Sequence, residues 1–361
     1  MSPAELPLLA RLPRPIRKVV IVRASRIGDF LCATPAFRAL RAALPAASIA
    51  LLGLPLVREV AEHSSILDHF VTFPGFPGMA EQFFDPRRAT TFLERMQAER
   101  FDLAIQMHGS GVFSNPFALL LGARATAGFI RAGDPPGRLD AALPFPEELH
   151  EAHRLLALTT ALGAPSQGDA LDFPLWAEDV ARARALLAGL PRPLIGFHPS
   201  ARDAVKRWPV ERFAEAASRL QARHGGTVVL LGGSEAREAA AAVRARTDGP
   251  AISLAGETSL PVTGAVIREL DVLVTNDSAP AHIGYAVGTP TVTIFGGTDP
   301  RVWGPLDQTR NRVLAHPVAC RPCFLRECPI GYVCLEGVTV EDVVAAAEDV
   351  MLPRSVEPAG T

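Results

Sequence analysis

The sequence has no long apolar run and no excess of charge of one sign. No segment approaches the roughly 20 apolar residues that a membrane-spanning helix needs, and the first residues lack the apolar core of a signal peptide. A formal net charge of −2 supplies no basic face of the kind that binds nucleic acid. We therefore expect a cytoplasmic protein that does not bind nucleic acid. A peripheral contact with the inner membrane is compatible with this composition.

Several common enzyme motifs are also missing. The sequence contains no GxxxxGK[ST], no HExxH and no GxSxG, which argues against a P-loop enzyme, a zincin and an α/β-hydrolase. The segments GSGVFS at residues 109–114 and LLGGSEA at residues 230–236 are incomplete versions of GxGxxG. A nicotinamide-dependent oxidoreductase is disfavoured because its phosphate-binding fingerprint is incomplete.

Cysteine is scarce, with five residues in a chain of 361. We predict that Cys32 lies in the core. The other four, Cys320, Cys323, Cys328 and Cys334, begin with the CxxC spacing of structural zinc sites, but the later spacings are irregular. A zinc site and packed, unligated thiols both remain open, and we expect no catalytic role for these residues.

Strand-like apolar runs alternate with helix-like segments from one end of the chain to the other. This alternation predicts an α/β fold of parallel sheets with crossover helices, and the length allows two domains. We place the first Rossmann-like, doubly wound domain at residues 1–176 and the second at residues 177–361. Ligands should then bind at the carboxyl ends of the strands, and we expect the domains to face each other across a cleft.

A carboxylate lies in an unexpected place after the first predicted strand. The strand VVIV runs into RASRIG and then Asp29, where a glycine-containing turn usually receives a phosphate. A negative charge would repel such a ligand, so another role is required. Thr34 and Pro35 resemble an N-cap and a first helical residue, and they predict a helix over residues 35–44.

In the second half, the segment TNDSAPAH follows a strand that we expect to end at Thr275. Ser278 is a natural N-cap for a helix closed by Gly288, and the small residues beside it let a phosphate approach the helix N-terminus. Asp277 is placed to accept hydrogen bonds from sugar hydroxyls. The alternative is that Asp277 and Ser278 only cap the helix.

The segment HPSARDAVKRWP forms a loop between a predicted strand and a helix opened by Pro209. Lys206 lies on this loop just before the helix. A flexible ammonium at that position suits a pyrophosphate, because it neutralises the charge that grows as the phosphate leaves. The alternative is an ordinary solvated lysine.

Together these motifs resemble glycosyltransferase family 9, the lipopolysaccharide-core heptosyltransferases. The resemblance spans nearly the whole chain, and the tail CRPCFLRECPIGYVC also looks like the cysteine-bearing end of many members. It implies a GT-B fold, inverting transfer from an ADP-sugar to a lipid-linked oligosaccharide acceptor, and no cofactor or metal. The final helix, within VEDVVAAAEDVM, is expected to pack back on the first domain.

The resemblance also assigns roles to individual residues. It makes Asp29 the general base. This role explains why a carboxylate follows the first strand, since the phosphates of the donor would bind to the second domain. The residues that it places at the donor are Ser200, Lys206, Asp277, Ser278, Ala279 and His282. Our candidates on the acceptor side are Arg26, Gln106 and His108. Two alternatives remain: an enzyme like the nucleotide-sugar 2-epimerases, and a non-catalytic relative that binds sugar nucleotides.

Overall fold

The computed structural model describes residues 6–79 and 81–351. The chain divides into two compact units, the first ending at Pro174 and the second beginning at Leu175. This division falls close to the boundary predicted after Trp176. No helix in the described ranges combines the length and the apolar character needed to cross a membrane.

The first unit is built on one sheet of six parallel strands. Its strands are β1 Lys18–Val22, β2 Ser48–Gly53, β3 His69–Thr72, β4 Leu103–Gln106, β5 Ala125–Ile130 and β6 Ala141–Pro144. Its helices are α1 Leu8–Arg11, α2 Ile27–Ala43, α3 Arg58–His63, α4 Pro86–Ala98, α5 Ser114–Leu120 and α6 Glu151–Leu162.

The second unit repeats this plan with a second sheet of six parallel strands. Its strands are β7 Leu194–His198, β8 Thr227–Leu230, β9 Ala251–Ser253, β10 Val272–Asn276, β11 Thr291–Ile294 and β12 Asn311–Leu314. Its helices are α7 Ala177–Leu187, α8 Val210–His224, α9 Arg237–Arg244, α10 Leu260–Glu269, α11 Ala279–Val287, α12 Pro300–Trp303, α13 Val333–Glu336 and α14 Val340–Val350.

The two sheets have the same topology. The strand order is β3-β2-β1-β4-β5-β6 in the first unit and β12-β11-β10-β7-β8-β9 in the second. The order therefore reverses between β1 and β4 in one sheet and between β7 and β10 in the other. Ligands of doubly wound α/β proteins bind at this switch point, outside the carboxyl ends of the strands. The predicted α/β class, with two doubly wound units, is confirmed.

The last helix of the described residues, α14, packs within the second unit. Val343, Val344 and Ala347 of α14 are buried in the same apolar core as Trp208 and Phe213 of the second unit. These positions are spaced as one face of a helix, and that face is covered by the second unit's own α8 and sheet. This face of α14 therefore belongs to the core of the second unit, and the packing of the last helix on the first domain stays a prediction.

The start of α2 also differs from the prediction. The helix begins at Ile27 and continues through Pro35, which lies in its interior. Proline has no N–H for the carbonyl four residues before it, but the Thr34 hydroxyl donates to that carbonyl, at Leu31, over 2.7 Å. Thr34 and Pro35 are therefore not a helix start, and Asp29 lies in the first turn of α2.

Candidate functional site

An ion pair marks the switch point of the second unit. Lys206 ends a short 3₁₀ turn over Ala204–Lys206, and its ammonium donates to a carboxylate oxygen of Asp277 over 2.8 Å. The Asp277 side chain is 2% exposed and that of Lys206 is 28% exposed. Thr298 donates its hydroxyl to the same oxygen, and His282 Nε2 lies 3.9 Å from the other. The ammonium of Lys206 is therefore fixed by an ion pair with Asp277, and Lys206 is not an ordinary solvated lysine.

The N-terminus of α11 lies directly after this aspartate. Ser278 occupies the N-cap position, but its side chain caps no N–H of the described residues. Its hydroxyl instead lies 3.1 Å from His198 Nδ1 and 3.2 Å from the carbonyl oxygen of Asn276. Ala279 is the first residue of the helix, and the side chain of Ser278 leaves the positive end of the helix dipole uncapped. This arrangement suits an anion.

Two histidines in this region are buried. Burial lowers the pKa of His198 to about 4, so its ring is neutral near pH 7. The ring therefore serves as a hydrogen-bond partner of Ser278. His282 is 5% exposed, and its ring packs edge-on against Tyr285 and Trp303 at centroid distances of 5.7 and 6.3 Å.

Asn276 is a residue of this region to which the sequence analysis assigned no role. It is the last residue of β10 and is completely buried. Its amide donates to the carbonyl oxygen of Ser200 over 3.2 Å and accepts the N–H of Trp208 over 3.0 Å. The one available signal was its position beside Asp277 at the end of a strand.

In the first unit, Asp29 lies at the switch point with its side chain 32% exposed. The guanidinium of Arg23 is 3.6 Å from its carboxylate and donates to its backbone carbonyl over 3.0 Å. Arg23 is 2% exposed and also donates to Glu151 over 2.7 Å. Burial alone would raise the pKa of Glu151, but Arg23 and Arg154 together hold it below its ordinary value. The sequence analysis missed this supporting network.

The three acceptor-side candidates have different surroundings. Arg26 is half-exposed, with its side chain 3.7 Å from Glu81. Burial, reinforced by Arg23, lowers the pKa of His108 to about 4, and its Nδ1 has no hydrogen-bond partner among the described residues. Gln106 is completely buried. Its amide holds the loop after β4.

The hydrogen bonds of Gln106 all lie inside the first unit. Its amide nitrogen donates to the His108 carbonyl and to Ser114 Oγ, and its oxygen accepts the N–H of Phe129. Both ends of the amide are thus used inside the fold. Gln106 thus holds the chain around the switch point in place, and its contact with an acceptor stays a prediction.

The cysteines of the C-terminal segment span all degrees of burial. Cys320 is exposed, Cys323 and Cys328 are partly exposed, and Cys334 is buried. The pKa of Cys328 is lowered because backbone N–H groups donate hydrogen bonds to its sulfur. No group of three or more His, Cys, Asp or Glu side chains among the described residues is arranged to hold a metal ion. Cys32 is buried in α2, as predicted.

Comparison with known proteins identifies the family. Residues 89–333 match the family described as glycosyltransferase family 9 (heptosyltransferase). The protein belongs to this family. It is 32% identical over 174 residues to lipopolysaccharide heptosyltransferase 3 of Escherichia coli (strain K12), a match that covers 47% of this chain and 50% of that relative. It is 38% identical over 120 residues to lipopolysaccharide heptosyltransferase 2 of Salmonella typhimurium (strain LT2), covering 32% and 34%. The chain thus matches half or less of these relatives' length.

Solved structures agree over almost the whole chain. A family 9 glycosyltransferase from Veillonella parvula superimposes with a TM-score of 0.79 at 23% identity, covering 94% of this chain and 98% of that one. The E. coli ADP-heptose lipopolysaccharide heptosyltransferase II gives 0.74 at 21%, covering 92% and 98%. The E. coli heptosyltransferase WaaC, solved with ADP, gives 0.69 at 20%, covering 92% and 99%. This likeness shows that the fold is GT-B.

Proposed function

We propose that this family 9 member is an inverting heptosyltransferase that moves a heptose from ADP-heptose to a lipid-linked inner-core acceptor of lipopolysaccharide. Three lines support the proposal. The curated relatives are named lipopolysaccharide heptosyltransferases, and the solved structures include one described with ADP. The observation that carries it is the Lys206–Asp277 pair beside the uncapped N-terminus of α11, which suits a diphosphate.

The second unit would bind the donor and stabilise the leaving group. As the sugar–phosphate bond breaks, negative charge accumulates on the diphosphate. Lys206 and the N-terminal end of α11 are fixed in place before the reaction, so they stabilise this charge without reorganisation. Ala279 is the first residue of α11, and the carbonyl oxygen of Ser200 accepts a hydrogen bond from Asn276, the neighbour of Asp277. Asp277 orients the ammonium of Lys206, and no metal ion is needed for this role.

The first unit would supply the base. Asp29 is partly exposed in the first turn of α2, so its carboxylate is accessible to an acceptor hydroxyl. The hydroxyl loses its proton to Asp29 as its oxygen attacks the anomeric carbon and ADP departs. One displacement with one base inverts the anomeric centre, whereas retention would need a second, nucleophilic carboxylate.

The test is a transfer assay with ADP-heptose and an inner-core acceptor in the presence of EDTA. We expect ADP release together with an acceptor that gains the mass of one heptose in the inverted anomeric configuration. Preference for a UDP-sugar or loss of activity in EDTA would contradict the proposal. Release of free UDP from a UDP-sugar without an acceptor would favour the epimerase alternative, and binding without turnover would favour the non-catalytic one.

A further inference from the structure

The segment that carries Lys206 is a long link without helical or strand support along most of its length. Residues 199–209 connect β7 to α8, and only the 3₁₀ turn Ala204–Lys206 interrupts them. Links of this kind are mobile unless their backbone is tied to the body of the protein. The middle is tied at Val205, whose carbonyl accepts the N–H of Gly297 over 3.1 Å.

Asn276 ties this link near both of its ends. One side-chain amide donates to the carbonyl of Ser200 and accepts the N–H of Trp208, which bracket the turn. Trp208 is itself fixed, because its indole N–H donates to the carbonyl of Val338 over 3.0 Å and its ring packs against Phe213. The amide therefore joins the link to the end of β10 and to the rigid start of α8.

The chemistry of an amide explains why this position suits asparagine. It provides a donor and an acceptor at once, whereas an ionised aspartate only accepts and leucine does neither. Because Asn276 is completely buried, water cannot replace the lost partners of Ser200 and Trp208. The neighbouring Asp277 then holds the ammonium of Lys206. Two consecutive residues thus fix the link at its start, its turn and its end.

We infer that Asn276 is a positioning residue that clamps the Ser200–Trp208 link, so that the affinity for the donor's diphosphate depends on an amide that touches no ligand. This inference rests on the proposed function, in which Lys206 contacts the diphosphate. The clamp lowers the cost of binding, since Lys206 is ordered before the nucleotide arrives.

The experiment compares Asn276→Leu with the parent chain in two measurements. The first is the rate of tryptic cleavage after Arg202, Lys206 and Arg207, which reports opening of the link without any ligand. The second is the dissociation constant for ADP, measured by calorimetry in EDTA. We expect cleavage in the link to rise about tenfold and the ADP dissociation constant to rise by a similar factor, the effect of losing hydrogen bonds of ordinary strength.

Two further variants separate the clamp from a general loss of stability. Asn311→Leu removes another buried asparagine, at the start of the edge strand β12, which β11 separates from β10. This variant should leave both measurements within twofold of the parent. Gly296→Ala displaces the link by another route, because a Cβ there would lie 2.0 Å from the Val205 carbonyl. This variant should raise both the cleavage rate and the ADP dissociation constant. It replaces Asn276→Leu in the experiment if Asn276→Leu folds poorly.

Several results would overturn the inference. Cleavage in the link within twofold of the parent would show that Asn276 does not clamp it. Faster cleavage with unchanged ADP affinity would show that the clamp does not set donor binding. A parent chain that binds no ADP would contradict the proposed function itself, while the cleavage rates would still decide whether the clamp exists.

Discussion

In the first unit, residues 23–26 link β1 to α2, whereas in the second unit the much longer segment 199–209 links β7 to α8. The strand order around both links is the same. The short link brings a carboxylate, Asp29, into the first turn of its helix. The long link brings an ammonium, Lys206, to an aspartate at the end of the neighbouring strand. Topology thus determines where each site lies, and link length and residue type determine its chemistry.

The buried groups behind the two sites differ in the same way. Asp29 is backed by a buried arginine, Arg23, whose own charge is balanced by Glu151. Lys206 is backed by a buried carboxylate, Asp277. Each of these partly exposed side chains therefore has a partner of opposite charge that fixes its position. The first unit thus holds a carboxylate and the second an ammonium. A general base in one unit and a cation that stabilises a leaving diphosphate in the other would require these opposite charges.

The largest expected effect is on the first unit. Asp29→Asn retains the shape of the side chain but removes the proposed proton acceptor, so we expect the transfer rate at saturating donor to fall by roughly 10²–10⁴-fold. The loss of its negative charge from the first turn of α2 costs only about 0.3–1 kcal/mol of stability. Turnover and a thermal melt check this. A variant that melts like the parent and retains more than a tenth of its rate would contradict the assignment.

The second prediction concerns the ion pair of the other unit. Lys206→Ala should slow transfer by roughly 10- to 100-fold, since a hydrogen bond to a charged group contributes about 1.5–3 kcal/mol. It also leaves the buried Asp277 without its ion partner, so the free energy of unfolding should fall. Adding Asp277→Asn removes the unpaired charge. The double variant should regain stability but not rate, and recovery of both would show that the pair is only structural.

The third prediction uses the buried histidine of the second unit. The pKa of His198 is about 4 in the native state, below the ordinary value of 6.5. Between these values the unfolded chain takes up a proton that the native chain does not, so stability falls as the pH decreases. The loss that His198 alone contributes between pH 7 and pH 5 is expected to be about 2 kcal/mol. Denaturant unfolding of His198→Asn at both pH values should show a correspondingly smaller loss, and an equal loss would contradict a neutral, buried ring.

The smallest expected effect concerns the cysteines, which lie near the second site but outside its proposed chemistry. Cys320→Ser combined with Cys323→Ser should change the transfer rate by less than about twofold, since no step of the mechanism uses a thiol. Metal analysis of parent protein purified under reducing conditions provides the complementary measurement. One zinc per chain, lost together with the fold on chelation, would show that these residues form a structural site.

The parts of the fold that local chemistry determines could be predicted from the sequence. Pro209 precedes α8 and Gly288 ends α11 in a left-handed conformation, both as expected. The start of α2 could not be predicted by the same rules. A threonine followed by a proline is typical of a helix start. Only the hydrogen bond from the Thr34 hydroxyl to the Leu31 carbonyl shows how the helix continues through Pro35.

The partners of the site residues depend on distant parts of the chain, which no local pattern reveals. Asp277 meets Lys206 and Thr298 only after β7, β10 and β11 have paired side by side. The role of Asn276 likewise depends on a link that precedes it by some seventy residues. Candidate residues could therefore be chosen from their positions at strand ends. Whether each of them contacts a ligand or stabilises a loop could not be predicted from the sequence.

The division of labour between the two units is tested most directly by titrating ADP, in EDTA, into the parent chain, Asp29→Asn and Lys206→Ala under the same conditions. We expect the Asp29 variant to bind ADP within about twofold of the parent, and the Lys206 variant to bind at least about tenfold more weakly, as the loss of one charged hydrogen bond requires. Weaker binding by the Asp29 variant, or unchanged binding by the Lys206 variant, would contradict the account.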